Sequence, residues 1–260
     1  MKKILYFCAF VPYMTIQNMG FDMITVYDQD PAFRSDLCLR GNFCSFIKYC
    51  GAIDFTKYDG VIFTNCCNST QRLYDFVKYQ YPKLFTFLLE LSHADSDIYN
   101  FDDLTYALRN SFNVYRTNLS REANIKEDPP SDILVIASAL RKRYIDNLAG
   151  IFSNYRLQFE TCQSNPKGDY VINNIKNVSC PRMLNFVEYI KSLIINVKAV
   201  IYVITHKCDQ IMFSYPTIKK LCDSLGKKSL VVEEEFIDQL TQRSKIRYEA
   251  FQESLYLKKI

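Results

Sequence analysis

Gly60-Val-Ile-Phe-Thr64 is a short apolar run that halts at Asn65-Cys66-Cys67-Asn68, after which the spacing of apolar residues from Ser69 to Tyr81 becomes helical. A run with no polar alternation suits a strand covered on both faces. A buried strand feeding directly into a helix is the repeating unit of a parallel sheet. Working outward, the same pairing recurs along the chain. In the first half the apolar runs are Ile4–Phe10, Met23–Tyr27, Gly60–Thr64 and Leu84–Leu89, with helical patterns near 11–20, 41–52, 69–81 and 101–119. In the second half the runs are Ile133–Ala137, Leu157–Glu160, Ala199–Ile204 and Ser229–Glu233, with helical patterns near 140–154, 181–196, 215–225 and 238–255. The predicted class is α/β, with parallel sheets and helices on both faces.

Between the halves lies Asn124-Ile-Lys-Glu-Asp-Pro-Pro-Ser-Asp132, where two prolines in a charged stretch end a helix and stiffen a linker. This divides the chain into residues 1–127, a first α/β domain carrying Cys44 and Cys67, and residues 128–260, a second carrying Cys208. One continuous sheet is the alternative. Asn68-Ser69 is suited to cap the following helix, Pro181 and Pro216 to open helices, and Gly226 to close one.

With 48% hydrophobic residues, the chain has enough apolar surface for a packed core, which argues against disorder. A net charge of +4 with no Lys/Arg block gives no sign of nucleic-acid binding. No apolar run is long enough to span a membrane. The opening MKKILYFCAFVPYMTI superficially looks like a secretory leader, but Pro12 breaks it and no small-residue cleavage site follows. It reads instead as a first buried strand.

Ten cysteines in a chain with this much core do not read as a disulfide scaffold, and a reducing cytoplasm suits them. Cys8, Cys38, Cys50 and Cys222 lie in ordinary apolar stretches and read as small hydrophobes. Cys44, Cys67 and Cys208 differ, because each follows a strand-like run or opens a helix, and ligands of open α/β sheets bind at the carboxyl ends of strands. A cleft between the domains would bring all three together. Three thiolates meeting there could hold an iron–sulfur cluster with one iron open. The spacing also permits three unrelated core cysteines. A zinc site lacks nearby histidine and paired-cysteine knuckles. GxGxxG, P-loop and GxSxG motifs are absent, and seven glycines leave little for a phosphate cradle. His93 reads as solvated, and His206, two residues before Cys208, as a substrate contact or a structural hydrogen bond. Glu233-Glu234-Glu235 reads as a solvated edge or, at a strand end, the source of a base, and Arg247 as a partner in surface or interdomain pairs.

Asn42-Phe-Cys-Ser-Phe-Ile-Lys48 and Asp59-Gly-Val-Ile-Phe-Thr-Asn-Cys-Cys-Asn-Ser69 with Arg72-Leu-Tyr-Asp75 resemble segments of the D-component family of 2-hydroxyacyl-CoA dehydratases. That family includes benzoyl-CoA reductase subunits and double-cubane cluster proteins. Phe10-Val-Pro12 through Gly20, Phe159-Glu-Thr-Cys162, Ser179-Cys-Pro-Arg182, His206-Lys-Cys-Asp209 with Tyr215-Pro216, and Arg247-Tyr-Glu-Ala-Phe251 are similar to further family segments in the same order. The likeness implies two tandem Rossmann-like domains and a [4Fe–4S] cluster on Cys44, Cys67 and Cys208. It makes Cys67, not Cys66, the ligand of the adjacent pair, and it leaves Cys162 and Cys180 outside the ligand set. It also implies a related subunit in a hetero- or homodimer, and an ATP-dependent activator that injects one low-potential electron. The implied chemistry is radical dehydration or reduction of an acyl-CoA, through a ketyl radical anion in the dehydratases. A double-cubane reductase of small molecules and a non-catalytic electron-transfer or scaffold subunit are the alternatives, and a metal-free Rossmann-like binding module is a further one. Asn68 stands where the family usually has Asp, the stretch Gln163–Gly168 departs from its pattern, and the N-terminal and mid-chain helical regions are short, which bears on acyl-CoA binding.

Overall fold

The computed structural model describes residues 1–29, 43–91, 100–114, 130–162, 180 and 185–256. Cys38, His93, most of the 124–132 linker, Gln163–Gly168 and Pro181 lie outside them.

The described residues form two compact units. The first takes those of Met1–Phe43 and Ile47–Lys126; the second takes those of Cys44–Phe46, Glu127–Ser164 and Ser179–Ile260. Cys44–Phe46 therefore clusters with the second unit although it lies in the first half of the sequence.

In the first unit β1 (Lys2–Tyr6), β2 (Phe21–Thr25), β3 (Gly60–Thr64) and β4 (Phe85–Leu89) form a parallel sheet in the order β2-β1-β3-β4. Gly60 opens β3 opposite Ile4 and Phe85. A Cβ there would stand 2.8 Å from Ile4 Cδ1 and 2.9 Å from Phe85 Cδ1, so the absence of a side chain is what lets the neighbouring strands close over this point. Beyond the ladder, the rings of Phe7 and Phe63 stack at 4.7 Å and carry the β1–β3 register forward to Cys8 and Thr64. The helices are α1 (Tyr13–Asn18), α2 (Ser45–Gly51), α3 (Asn68–Gln80) and α4 (Phe101–Phe112).

The second unit repeats the plan. β5 (Ile133–Ala137), β6 (Leu157–Glu160), β7 (Ala199–Thr205) and β8 (Lys228–Glu234) are parallel in the order β6-β5-β7-β8. Its helices are α5 (Lys142–Ile151), α6 (Phe186–Ile194), α7 (Asp209–Ser224) and α8 (Gln242–Tyr256). Strand periodicity divides the core in two. Ile133, Val135 and Ala137 join Tyr144, Leu148, Phe152 and Tyr248 on one face, while Leu134 and Ile136 join Phe186, Ile190, Ile194 and Ile218 on the other. Both sheets are thus two-sided parallel α/β layers of the Rossmann-like kind. In each, the order reverses beside the first strand, at β1/β3 and at β5/β7, the places where such sheets open a crevice at the carboxyl edge.

Two local expectations change. Pro216 does not open a helix but lies inside α7, which begins earlier, at Asp209. The carbonyls of the turn before it are covered by Ser214 Oγ, which donates to Gln210 O at 3.1 Å and Ile211 O at 3.0 Å. Tyr202 of β7 also donates to Ile211 O at 2.9 Å, so the proline falls where side chains already support the backbone. The cap of α3 is Cys67 rather than Asn68 or Ser69. Gly226 has φ +63° directly after the α7 cap Leu225, as a helix terminator requires.

Candidate functional site

At the end of β3, Asn65 N donates to Leu89 O at 3.1 Å and Asn65 Oδ1 accepts from Leu91 N at 2.9 Å, which ties the loop to the end of β4. Cys66 and Cys67 follow. Cys67 is extended at φ −161° and caps α3, and its side chain makes no capping hydrogen bond. Its carbonyl instead receives Thr70 N at 3.1 Å and Gln71 N at 3.2 Å. Thr70 Oγ1 lies 3.2 Å from the sulfur of Cys66 and 3.2 Å from that of Cys67.

This pocket is crowded with thiols. Cys66 is hydrogen-bonded to Cys67, which draws its pKa down, but the adjacent Cys8 thiol and burial outweigh that and push it up to about 12. The thiol of Cys67 is also pushed up, first by its hydrogen bond with Cys66 and then by burial. Thr64 ends β3 fully buried, with its hydroxyl against the Cys66 thiol. Cys8, expected to be an unremarked core residue, is thus a neighbour of the pair. The register of β1 on β3 brings it there, and that register is invisible in the spacing of the sequence.

In the second unit β7 ends at Thr205, whose buried hydroxyl is hydrogen-bonded to that of Ser138 at the end of β5. His206 N donates to Glu234 O at 2.7 Å and extends the ladder by one step. Lys207 then turns the chain in the left-handed region at φ 60°, and Cys208 N closes the turn on Thr205 O at 2.8 Å. Cys208 caps α7, again with no side-chain capping bond. Behind it, Tyr202 Oη bonds Ser214 Oγ at 2.6 Å as well as Ile211 O, and so holds the first turn of α7 against the sheet. Burial holds the Tyr202 phenol above its ordinary pKa, with smaller contributions from Cys208 and Cys162 beside it. Cys162 follows β6, its N–H donating to Ser138 O at 2.6 Å.

Cys44 precedes α2 directly and is 7% exposed. Its neighbour Ser45 donates N–H to His206 O at 3.2 Å, and Ser45 Oγ accepts from Phe236 N at 2.9 Å. Phe46 meets Phe236 edge-on at 5.0 Å. These contacts are why the segment belongs to the second unit. Of the three predicted thiols, Cys44 and Cys208 therefore lie in the second unit and Cys67 in the first. All three occupy one kind of place, the residue just before the first residue of a helix. Among the described residues no group of three or more His, Cys, Asp or Glu side chains is drawn together tightly enough for a metal ion. No disulfide joins the described cysteines.

His206 Nδ1 sits 2.8 Å from Glu233 Oε1. The glutamate run is not uniformly solvated. Strand alternation leaves Glu233 and Glu235 exposed and turns Glu234 inward to 5% exposure, where burial raises its carboxyl pKa against the opposing effect of Ser244 and Thr241. Arg247 Nη2 donates to Val231 O at 2.8 Å, so this side chain braces α8 on β8. Cys222 is buried in α7 and its thiol is pushed up to about 11 by burial, as a core cysteine should be. Among the described residues, no helix is long and apolar enough to cross a membrane.

Residues 146–255, from α5 to α8, match the family model described as 2-hydroxyglutaryl-CoA dehydratase, D-component. Cys208 falls inside that stretch; Cys44 and Cys67 fall outside it. No curated protein matches the chain. Among solved structures, the SBP FpvC from Pseudomonas aeruginosa in complex with Mn2+ aligns at 11% identity over 98% of this chain and 96% of that one, with a TM-score of 0.23, too low to bear on fold or function. The match over residues 146–255 supports membership in the 2-hydroxyglutaryl-CoA dehydratase D-component family.

Proposed function

We propose that this chain is the cluster-bearing subunit of a 2-hydroxyacyl-CoA dehydratase or benzoyl-CoA reductase-like enzyme, with Cys44, Cys67 and Cys208 as ligands of a [4Fe–4S] cluster. The supporting observation is the shared placement of the three sulfurs. Each belongs to the residue before a helix, and the Cys67 and Cys208 side chains leave their helix ends uncapped. Thiolates are the usual ligands of iron and sulfide, and coordination itself deprotonates a thiol.

The cluster, when bound, supplies a low-potential electron and one open iron for the thioester oxygen. The chain's own residues do the positioning. Asn65 fixes the loop that carries Cys67. The left-handed turn at Lys207 and the Tyr202–Ser214 brace fix Cys208. Ser45 fixes the backbone beside Cys44. The proposal includes a cytoplasmic location, a division into domains at 127/128, a related subunit as partner and an ATP-dependent activator as electron donor, with an acyl-CoA as substrate.

Anaerobic reconstitution with iron and sulfide tests it. The expected product is brown, with about four irons per chain, and together with a related subunit and an activator it eliminates water from a 2-hydroxyacyl-CoA or reduces an aromatic acyl-CoA. A colourless, iron-free product overturns the reading. A second reading, a double-cubane cluster, draws support from further thiols near two of the three ligands: Cys66 next to Cys67, with Cys8 against Cys66, and Cys162, which like Cys208 raises the pKa of the Tyr202 phenol. Roughly twice the iron per chain distinguishes it.

A further inference from the structure

The chain between β8 and α8, residues 235–241, is tied down at three places. At its far end Thr241 caps α8: its carbonyl accepts from Lys245 N at 2.9 Å, and its Oγ1 accepts from Ser244 N at 3.2 Å and lies 3.4 Å from Glu234 Oε1. In the middle, α5 holds Asp238 twice. Arg141 donates from Nε to Asp238 Oδ1 at 2.8 Å and from Nη2 to Oδ2 at 3.1 Å, and Asn147 Nδ2 donates to Asp238 O at 3.4 Å. Near the start, Phe236 N–H donates to Ser45 Oγ and the Phe236 ring meets Phe46. We propose that residues 235–241 are a strap that holds the Cys44–Phe46 segment in place, and that the Arg141–Asp238 ion pair is the latch that keeps it shut. Arg141 and Asp238 are then positioning residues that act on Cys44 through the strap.

The latch has the geometry for this task. A fork of two charge-assisted bonds fixes direction as well as distance. Arg141 is 7% exposed, so water competes poorly for the fork. Asp238 stands two residues after Phe236, so anchoring it fixes the backbone that carries the Phe236 N–H. Among residues 235–241 only Phe236 is buried, which leaves much of the hold on the strap to its polar anchors. A segment held in this way opens locally at a lower free energy than the sheet beneath it. With the strap shut, Cys44 is 7% exposed. With it open, the contacts of Ser45 and Phe46 with Phe236 are lost and solvent reaches the thiol. The cluster reading enters at one point only: with Cys44 as a ligand, opening of the strap is the step through which iron reaches and leaves this sulfur.

The test uses the full chain with Asp238→Asn, which keeps the shape and removes the charge, Arg141→Lys, which keeps the charge and loses the fork, and Ser45→Ala. In reduced, metal-free protein at one fixed pH, iodoacetamide labelling is read at each cysteine by fragmentation mass spectrometry, with Cys222 of the core as the reference thiol. Asp238→Asn should speed labelling of Cys44 about ten- to a hundredfold, the loss of a hydrogen-bonded charge, and leave Cys222 unchanged. Arg141→Lys should fall between it and the parent. Latch and serine act on one strap, so Asp238→Asn combined with Ser45→Ala should label Cys44 about as fast as the faster single variant, whereas independent effects multiply. Multiplied rates overturn the strap. Unchanged Cys44 labelling in a folded Asp238→Asn protein, or equal acceleration of Cys44 and Cys222, overturns the latch. Should Asp238→Asn fail to fold, Arg141→Lys decides by the same two outcomes. In reconstituted protein, the latch variant should give up iron to a ferrous chelator faster than the parent, and an equal rate overturns the role of the strap in iron exchange. A parent protein that takes up no iron defeats the cluster reading instead, while the labelling still decides whether the strap holds Cys44.

Discussion

Ser45→Ala isolates the contact that assigns Cys44 to the second unit. Ser45 Oγ accepts the Phe236 N–H at 2.9 Å, and Ser45 is only 8% exposed. Alanine removes the acceptor and leaves a buried backbone N–H without it, which costs about 1–3 kcal/mol. The Ser45 N–H to His206 O bond involves only backbone and survives, so the loss falls on one site. A cost of about 2 kcal/mol corresponds to roughly thirtyfold in a local opening equilibrium. Amide exchange at Phe236 is the direct assay. Its protection should fall by about ten- to a hundredfold in Ser45→Ala, with Ile133 and Val135 of β5 little changed. Because Phe46 packs on Phe236, the loosening should spread to Cys44 and raise its alkylation rate. Equal protection of Phe236 in both proteins would refute the claim that this serine anchors Cys44–Phe46.

Three further outcomes follow from the packing. Gly60→Ala places a methyl group 2.8 Å from Ile4 Cδ1 and 2.9 Å from Phe85 Cδ1, and should cost about 1–3 kcal/mol in denaturant unfolding. Tyr144 and Tyr248 share a buried hydroxyl–hydroxyl bond of 2.6 Å. Each single Phe variant strands the other hydroxyl, so the double variant should cost less than the two singles added, by roughly 0.5–2 kcal/mol in a double-mutant cycle. Glu234 has its pKa raised, mainly by burial, so the native state holds this proton more tightly than the unfolded chain does. Its stabilising contribution is complete below the ordinary glutamate pKa and is lost as pH rises through the raised native value. Glu234→Gln should therefore be relatively more stable than the parent at neutral pH, and the gap should shrink toward pH 4 in pH-dependent unfolding. A gap that widens on acidification would contradict the buried, neutral-leaning carboxyl.

Much of the architecture was legible because strands covered on both faces leave continuous apolar runs, as Gly60–Thr64 and Ile133–Ala137 show at their observed boundaries. Helix starts were harder to read. Pro216 looks like a helix opener in isolation, yet it lies inside α7, whose first turn Tyr202 and Ser214 hold through Ile211 O. Cys67 and Cys208 were legible as residues at strand-to-helix junctions. The grouping of Cys44 with the second unit was not, because it depends on Ser45 meeting Phe236, a contact between residues far apart in the chain. Nor was the crowding of Cys8 against Cys66, which depends on strand register. Glu234 hides within a charge run that only the pleat of β8 divides into exposed and buried members.

The most direct test of the central claim is iron content across a cysteine series after anaerobic reconstitution. Cys44→Ala, Cys67→Ala and Cys208→Ala should each lose most of the roughly four irons held by the parent, while Cys222→Ala, a core thiol, keeps them. Full iron retention in any of the first three, or equal loss in all four, would contradict a cluster held by these three sulfurs.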